Sequence, residues 1–369
     1  MANSTDTFAD TVDEFLRRNY SDDVRRQLLS THDSSSALAA SFAELGVFAV
    51  ALTEEQGGLG MSLATLGPLF TQYGRHLVAG PMLENSLIPA LLYAAMPEEG
   101  QKLLSNAIEN GAVLAIADPG VSVHWREQLG SITTDGASLC GRFDVVRFAP
   151  DASVLVVVAH NHDRPELWLV EAGAPGVGIE PVESSDPLAS FARVTLDGVI
   201  GIPVTDQSTV PNLLRQIRLW SQALIACELS GIANRCVELS LTYALQREQF
   251  GRPIGSFQAI KHILADMHTR AAALTNMCEA TMERLAEDDA LGAELDCAAL
   301  KAYAATVGVS VCEDAIQVHG GIGFTAEADI HWYYKRVLAL RAWYGDTTEL
   351  AELIGSIALQ PATPTTMRS

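Results

Sequence analysis

The sequence predicts a mainly helical α+β protein in which a small β domain separates two helical domains. Three observations predict it. Residues 1–110 repeat apolar positions at helical spacing. Residues 111–205 break into short β-branched or apolar runs with Gly, Pro, Asp and Asn between them. From 206 to 358 helical spacing returns in much longer segments, ahead of a flexible tail over 359–369. With 369 residues, 48% of them hydrophobic, the chain can bury cores for two or three domains.

Each element has its own signal. Phe8, Val12, Phe15 and Leu16 recur at spacings of three and four and mark the buried face of a first helix. A second helix, roughly 35–46, stops near Gly46 and leads into the Gly-rich turn of GVFAVALTEEQGGLGMS. Further helices are expected over about 62–74 and 84–95. The runs VLAIADP, SITTDG, SVLVVVAH and ELWLVEA then read as strands. A very long helix starts just after Pro211. Another begins at Gln258, with Ile260, Ile263, Leu264 and Met267 on one face. Two more follow over about 291–318 and 328–340, and a last one begins near Asp346. The closing PATPTTMRS reads as a frayed end.

Charge narrows the function classes. Lys and Arg number 24 against 45 Asp and Glu, a net charge of −21. Such a surface argues against non-specific nucleic-acid binding and against an anionic membrane as partner. The N-terminal MANSTDTFADTVDEFLRR is acidic and lacks the apolar centre of a signal peptide. No run approaches the roughly 18 apolar residues of a membrane span. The six cysteines form no CxxC pair and no metal-ligand spacing, so free thiols in a reducing cytoplasm are expected.

Two stretches could carry chemistry. REQFGRPIGSFQAIKH, residues 247–262, groups an arginine, a phenylalanine, a Gly-Arg-Pro turn and a glutamine between two helices. The planar fork of Arg247 suits phosphate oxygens, Phe250 offers an aromatic surface, and Gln258 can both donate and accept. A plain helix–turn–helix corner would also explain this composition. In the second stretch, QVHGGIGFTAEADIHWYYKR, residues 317–336, Gly320, Gly321 and Gly323 follow a helix and permit close approach of a ligand, although helix C-caps use glycine too. His319 beside them reads as structural.

Together these stretches resemble the acyl-CoA dehydrogenase family. REQFGRPIGSFQAIKHILADM and QVHGGIGFTAEADIHWYYKR match its two C-terminal signatures, and LGVFAVALTEEQGGLGMS is similar to its N-terminal turn; the likeness covers about residues 8–358. The resemblance implies an N-terminal helical domain, a central small β domain and a C-terminal four-helix bundle. It implies removal of an α-proton from an acyl-CoA thioester by a carboxylate, with hydride passing from the β-carbon to FAD. It assigns FAD contacts, made toward a neighbouring subunit, to Arg247, Phe250, Gln258, Gln317, Gly320 and Gly321, with Thr347 as a further cofactor-binding residue. An electron-transfer flavoprotein is the implied acceptor.

The chain departs from the family pattern where the chemistry is done. The usual base is the glutamate of a YEGT segment; here Tyr344, Gly345, Asp346 and Thr347 stand there, with glycine at the base position. Other members carry it ten residues before a glycine that matches Gly231, and that position is Ser221. Asp346, one residue off, and Glu228, within the apolar run ALIACELSGIA, are weak substitutes. The family's TEPxxGSD stretch reads AIADPGVSVHW, with Ala117 in place of the threonine, and its aromatic-Ile-Thr segment reads RFDVVRFAP. The chain therefore resembles the non-catalytic subunit of actinobacterial α2β2 acyl-CoA dehydrogenases of steroid side-chain catabolism. It would complete the FAD site of a homologous partner. A self-sufficient enzyme using Asp346 or Glu228, and a flavin-free scaffold on the same fold, are the alternatives.

Overall fold

A computed structural model describes residues 4–31, 36–118, 130–186, 188–204, 208–287, 290–325 and 328–359. Six helices come first: α1 (Ser4–Asn19), α2 (Asp22–Thr31), α3 (Ser36–Glu44), α4 (Leu66–His76), α5 (Met82–Leu92) and α6 (Glu98–Glu109). Val12 and Leu16 of α1 are fully buried, as their spacing requires.

The strands follow: β1 (Val113–Ala117), β2 (Gly130–Thr134), β3 (Leu139–Arg147), β4 (Ala152–Asn161), β5 (Arg164–Glu171), β6 (Val177–Val182), β7 (Phe191–Val199) and β8 (Ile202–Pro203). They form one sheet in the order β6-β7-β3-β2-β4-β5-β8, with β1 parallel to β4. The unbroken apolar run of β4 has a specific cause. Leu155, Val157 and Ala159 point into the core of the β domain, whereas Val154, Val156 and Val158 point the other way, onto Ile88, Leu92 and Leu104 of α5 and α6. A strand buried on both faces cannot alternate apolar with polar residues. Trp168 and Val170 of β5 take the first face, Leu167 and Leu169 the second.

The last part is built on three long helices, α7 (Val210–Gln246), α8 (Gln258–Ala286) and α9 (Ala290–His319). Between α7 and α8 lies a hairpin of β9 (Glu248–Gln249) and β10 (Arg252–Pro253). Two short helices, α10 (Ile330–Leu340) and α11 (Thr347–Ala358), both pack on α9, close to the bounds that the sequence predicts. Pro211 sits in the first turn of α7, where its missing N–H costs nothing. From Leu219 to Ala233 this helix is buried on all sides, because it runs between α4, α5 and the other bundle helices. Two glycines let α4 and α7 touch. A Cβ on Gly74 would stand 1.9 Å from the Glu228 carbonyl oxygen, and one on Gly231 would stand 1.9 Å from that of Thr71. Among the described residues, Gly292–Phe324, which is most of α9 with the turn after it, is long and apolar enough to cross a membrane by length and composition alone. More than half of its most apolar window is buried against α7, α8, α10 and α11, as in a core helix.

Candidate functional site

The REQFG corner is a tight hairpin at the end of α7. Arg247 leaves the helix with extended backbone, its N–H donating to the Tyr243 carbonyl, and Ile254 N–H donates back to the Arg247 carbonyl at 2.7 Å. Phe250 and Gly251 form the two-residue turn with φ of 55° and 76°. Two-residue hairpins favour turns with positive φ at both central positions, which suits Gly251 and strains a phenylalanine. The Phe250 side chain is 92% exposed. Its ring meets Phe257 edge-on at 6.2 Å, and the Arg252 guanidinium lies over Phe257 at 4.1 Å. Gln258 opens α8, and both it and Arg247 are exposed.

The second glycine-bearing stretch lies beside this corner. His319, the last residue of α9, stacks on Tyr243 in the last turn of α7 with 4.5 Å between ring centres. Its Nδ1 is 2.7 Å from the Ala315 carbonyl, and burial lowers its pKa, consistent with a structural histidine. Gln317, Gly320 and Gly321 are exposed. Gly320 is left-handed at φ 63°, and a Cβ on either glycine would meet no atom within 4 Å. This backbone is open to close approach, and Phe324 beyond it is 72% exposed.

A different environment surrounds the turn to which the resemblance assigns the family's base. Tyr344 (φ 58°) and Gly345 (φ 110°) turn the chain between α10 and α11. Three side-chain hydrogen bonds hold this turn by its carbonyls. Gln222 Nε2 donates to Tyr344 at 2.9 Å; Lys301 Nζ donates to Arg341 at 3.0 Å and to Gly345 at 3.2 Å. Lys301 is fully buried, and desolvation pulls its pKa down to about 7. A Cβ on Gly345 would come within 2.9 Å of Leu350 Cδ2. Ser221 is fully buried with no hydrogen-bond partner for its Oγ among the described residues; the Tyr344 hydroxyl approaches it without forming a bond of good geometry. Burial pushes the Tyr344 phenol up.

The two substitute carboxylates are both engaged. Asp346 is the N-cap of α11: its Oδ1 accepts from Thr348 N–H at 2.7 Å and Glu349 N–H at 3.0 Å, and Glu349 Oε2 accepts from Asp346 N–H. Thr347 is the first helical residue after that cap and is half-buried. Glu228 accepts from Arg336 Nε at 2.7 Å, and Arg336 also donates to Asp186 at 2.9 Å. This buried triad ties α7 to α10 and to the segment before β7. Sequence reasoning weighed both acids as bases; the fold gives each a structural partner.

Another buried pair lies in the RFDVVRFAP run. Arg147, the last residue of β3, donates to Glu84 of α5 at 2.7 Å, with both side chains almost wholly buried. Its guanidinium lies 5.0 Å from the Trp343 ring centre, and Trp343 in turn stacks on Phe191 at 5.7 Å. The junction of α5, β3 and the α10–α11 turn is therefore filled by this chain's own side chains. Within AIADPGVSVHW, Ala117 is fully buried at the end of β1, while residues 119–125 lie outside the described residues.

Residues 3–110 match the N-terminal domain of acyl-CoA dehydrogenases, and residues 219–359 match their C-terminal domain. The chain belongs to the acyl-CoA dehydrogenase family. Among curated relatives, the acyl-CoA dehydrogenase FadE34 of Mycobacterium tuberculosis is 32% identical over 85% of this chain, which spans only 41% of FadE34. The acyl-CoA dehydrogenase IpdE2 of the same organism is 29% identical over 79% of this chain and 77% of its own length. Among solved structures, the ChsE4-ChsE5 complex from Mycobacterium tuberculosis superposes with a TM-score of 0.85 at 24% identity, over 98% of this chain and 99% of that one. The Tcur3481-Tcur3483 steroid acyl-CoA dehydrogenase variant gives 0.83 at 25% identity, over 96% and 97%.

Sequence reasoning singled out the two surface motifs and missed the groups behind the turn at Tyr344 and Gly345. Gln222, Lys301, Arg336 and the Glu84–Arg147 pair come from five separate segments. The available signal was charge: each of the four ionisable ones lies in an apolar helix or strand, where an unpaired charge is too costly to bury.

Proposed function

We propose that this chain is the subunit of a heteromeric, FAD-dependent acyl-CoA dehydrogenase that supplies FAD contacts to a homologous partner and no catalytic base. The observation that carries the reading is the contrast between the two ends of the bundle. At the base positions stand Gly345 and Ser221, and the two substitute acids, Asp346 and Glu228, are a helix cap and part of an ion triad. At the other end, Arg247, Phe250, Gln258, Gln317, Gly320 and Gly321 are all exposed.

The residues fit one part of the cofactor and not the other. Arg247 makes no ion pair among the described residues, and the open backbone at Gly320 and Gly321 suits the phosphates and ribose of a nucleotide. When bound, FAD supplies the hydride acceptor for α,β-dehydrogenation. The run whose family counterpart lies near the flavin ring instead places Arg147 in a buried pair with Glu84. In this reading Arg247 orients the cofactor's phosphates, Phe250 and Phe324 exclude water at the subunit contact, and proton abstraction belongs to the partner.

The substrate class is an acyl-CoA thioester. A steroid side-chain CoA ester is supported by the similarity to the steroid acyl-CoA dehydrogenase complex. An α2β2 assembly in the cytoplasm, passing electrons to an electron-transfer flavoprotein, completes the proposal. The test is flavin content. The chain purified alone should hold little FAD, and co-expression with a homologous subunit carrying the glutamate should restore it. A yellow homo-oligomer with one flavin per chain would refute the reading. A colourless heteromer would favour a flavin-free scaffold.

A further inference from the structure

His319 joins the two exposed motifs. It is the last residue of α9 and immediately precedes Gly320, and its ring stacks on Tyr243 with 4.5 Å between centres and 24° between planes. Tyr243 lies one turn before Arg247, whose N–H its carbonyl accepts at 2.8 Å. The stacked pair therefore ties the REQFG corner to the open glycine backbone. One imidazole nitrogen serves the fold. Nδ1 is 2.7 Å from the Ala315 carbonyl oxygen, which can only accept, so Nδ1 carries a proton. Burial lowers the pKa of His319, so at neutral pH the ring holds only that proton. Nε2 is then a bare acceptor. It has no hydrogen-bond partner among the described residues, and the side chain is only half-buried.

That free nitrogen has the opposite polarity to the rest of the corner. The Arg247 guanidinium only donates, and it matches phosphate oxygens, which at neutral pH only accept. A neutral acceptor is wrong for a phosphate, because its lone pair would face the phosphate oxygens. It is right for a hydroxyl or an amine. Adenosine carries both, as ribose hydroxyls and the exocyclic amine of adenine, and in a dinucleotide it is joined directly to the phosphates. A histidine with a purely structural role needs the Tyr243 stack and the Ala315 bond, and that role leaves Nε2 without a task.

We propose that His319 Nε2 is a cofactor-binding acceptor, taking a hydrogen bond from a ribose hydroxyl or the adenine amine in the adenosine part of FAD. The inference rests on the reading of this corner as an FAD site. Two substitutions separate it from a structural role. His319→Phe keeps a ring to stack on Tyr243 and removes the acceptor. His319→Gln gives up the ring and sets an amide oxygen near the place of Nε2. In the assembled complex, equilibrium dialysis should show FAD held about three- to tenfold more weakly by His319→Phe, and about as tightly as wild type by His319→Gln. Urea unfolding of the flavin-stripped complex should rank the two variants the other way, because only phenylalanine keeps the stack. FMN, which lacks the adenosine, should show no loss in His319→Phe; a loss as large as that of FAD overturns the assignment. Full FAD retention by His319→Phe, or retention by His319→Gln no better than by His319→Phe, overturns it too. Arg247→Ala is measured in parallel. If it also keeps FAD fully, the flavin reading of the corner fails as a whole; if it loses FAD while His319→Phe does not, only the role of His319 fails.

Discussion

Lys301 Nζ reaches the Gly345 carbonyl at 3.2 Å, so a buried amine on α9 holds the turn between α10 and α11. Desolvation is the largest influence on this amine and lowers its pKa to about 7, while Asp346 pulls the other way. In the unfolded chain the amine titrates near 10.5. Between those values the folded chain binds fewer protons than the unfolded one, so stability should rise with pH across that window. The penalty is fully present below about 7. Urea midpoints at pH 7 and pH 9 should show a gain on the order of 1–2 kcal/mol from this group, absent in Lys301→Met. An identical pH slope in the variant would assign the effect elsewhere.

Gly345 is fixed by geometry. A Cβ there meets Leu350 at 2.9 Å, and φ is 110°. Gly345→Ala should cost about 1–3 kcal/mol in denaturant unfolding. Gly345→Glu should be destabilised similarly and gain no dehydrogenase activity, because the new carboxylate would lack an adjacent hydride acceptor. Measurable turnover of an acyl-CoA by purified Gly345→Glu alone would contradict this.

Asp346→Asn should leave the assembled complex within about threefold of wild-type turnover, a barrier change below roughly 0.7 kcal/mol. Asparagine is also a good N-cap, so stability should hardly move. Asp346→Ala should lose about 0.5–2 kcal/mol with the cap. A thousandfold drop in Asp346→Asn at unchanged FAD content would make Asp346 the base.

Arg247→Ala should weaken FAD retention by the complex about ten- to hundredfold, the worth of a phosphate contact of about 1.5–3 kcal/mol. Arg247→Lys should recover only part, since an ammonium lacks the planar fork. Equilibrium dialysis of flavin reads both. Full retention in Arg247→Ala would reduce the motif to a helix corner.

Arg336→Leu leaves Glu228 and Asp186 buried without their cation. A loss of about 3–5 kcal/mol in unfolding free energy is expected. A loss below about 1 kcal/mol would mean that the two acids find other partners.

Helices were legible wherever periodicity was long. Pro211, Gln258 and the stripe from Ile260 to Met267 mark the starts and faces of α7 and α8 as the structure has them. The strand β3 was not read as one, because LCGRFDVVR is largely polar on its exposed residues and its buried arginine belongs to an ion pair with another domain. Helices α2 and α6 were missed too; α2 is short and charged, and its ties to the rest of the fold include the distant Asp329. At the site, local spacing exposed REQFG and QVHGG because each is a contiguous turn. It could not show that Asp346 caps α11 or that Glu228 faces Arg336, which lies 108 residues away. Partner identity at that separation is a property of packing.

The triad of Glu228, Arg336 and Asp186 has a consequence for how the molecule comes apart. It joins α7 and α10 to the β domain, and Glu84 with Arg147 makes a second buried tie from that domain to α5. Neither tie can open part-way without stranding a charge in an apolar interior. The β domain is thus denied an undocked intermediate of low energy. The chain should melt as one cooperative unit, with a calorimetric enthalpy equal to its van't Hoff enthalpy despite its three-part architecture.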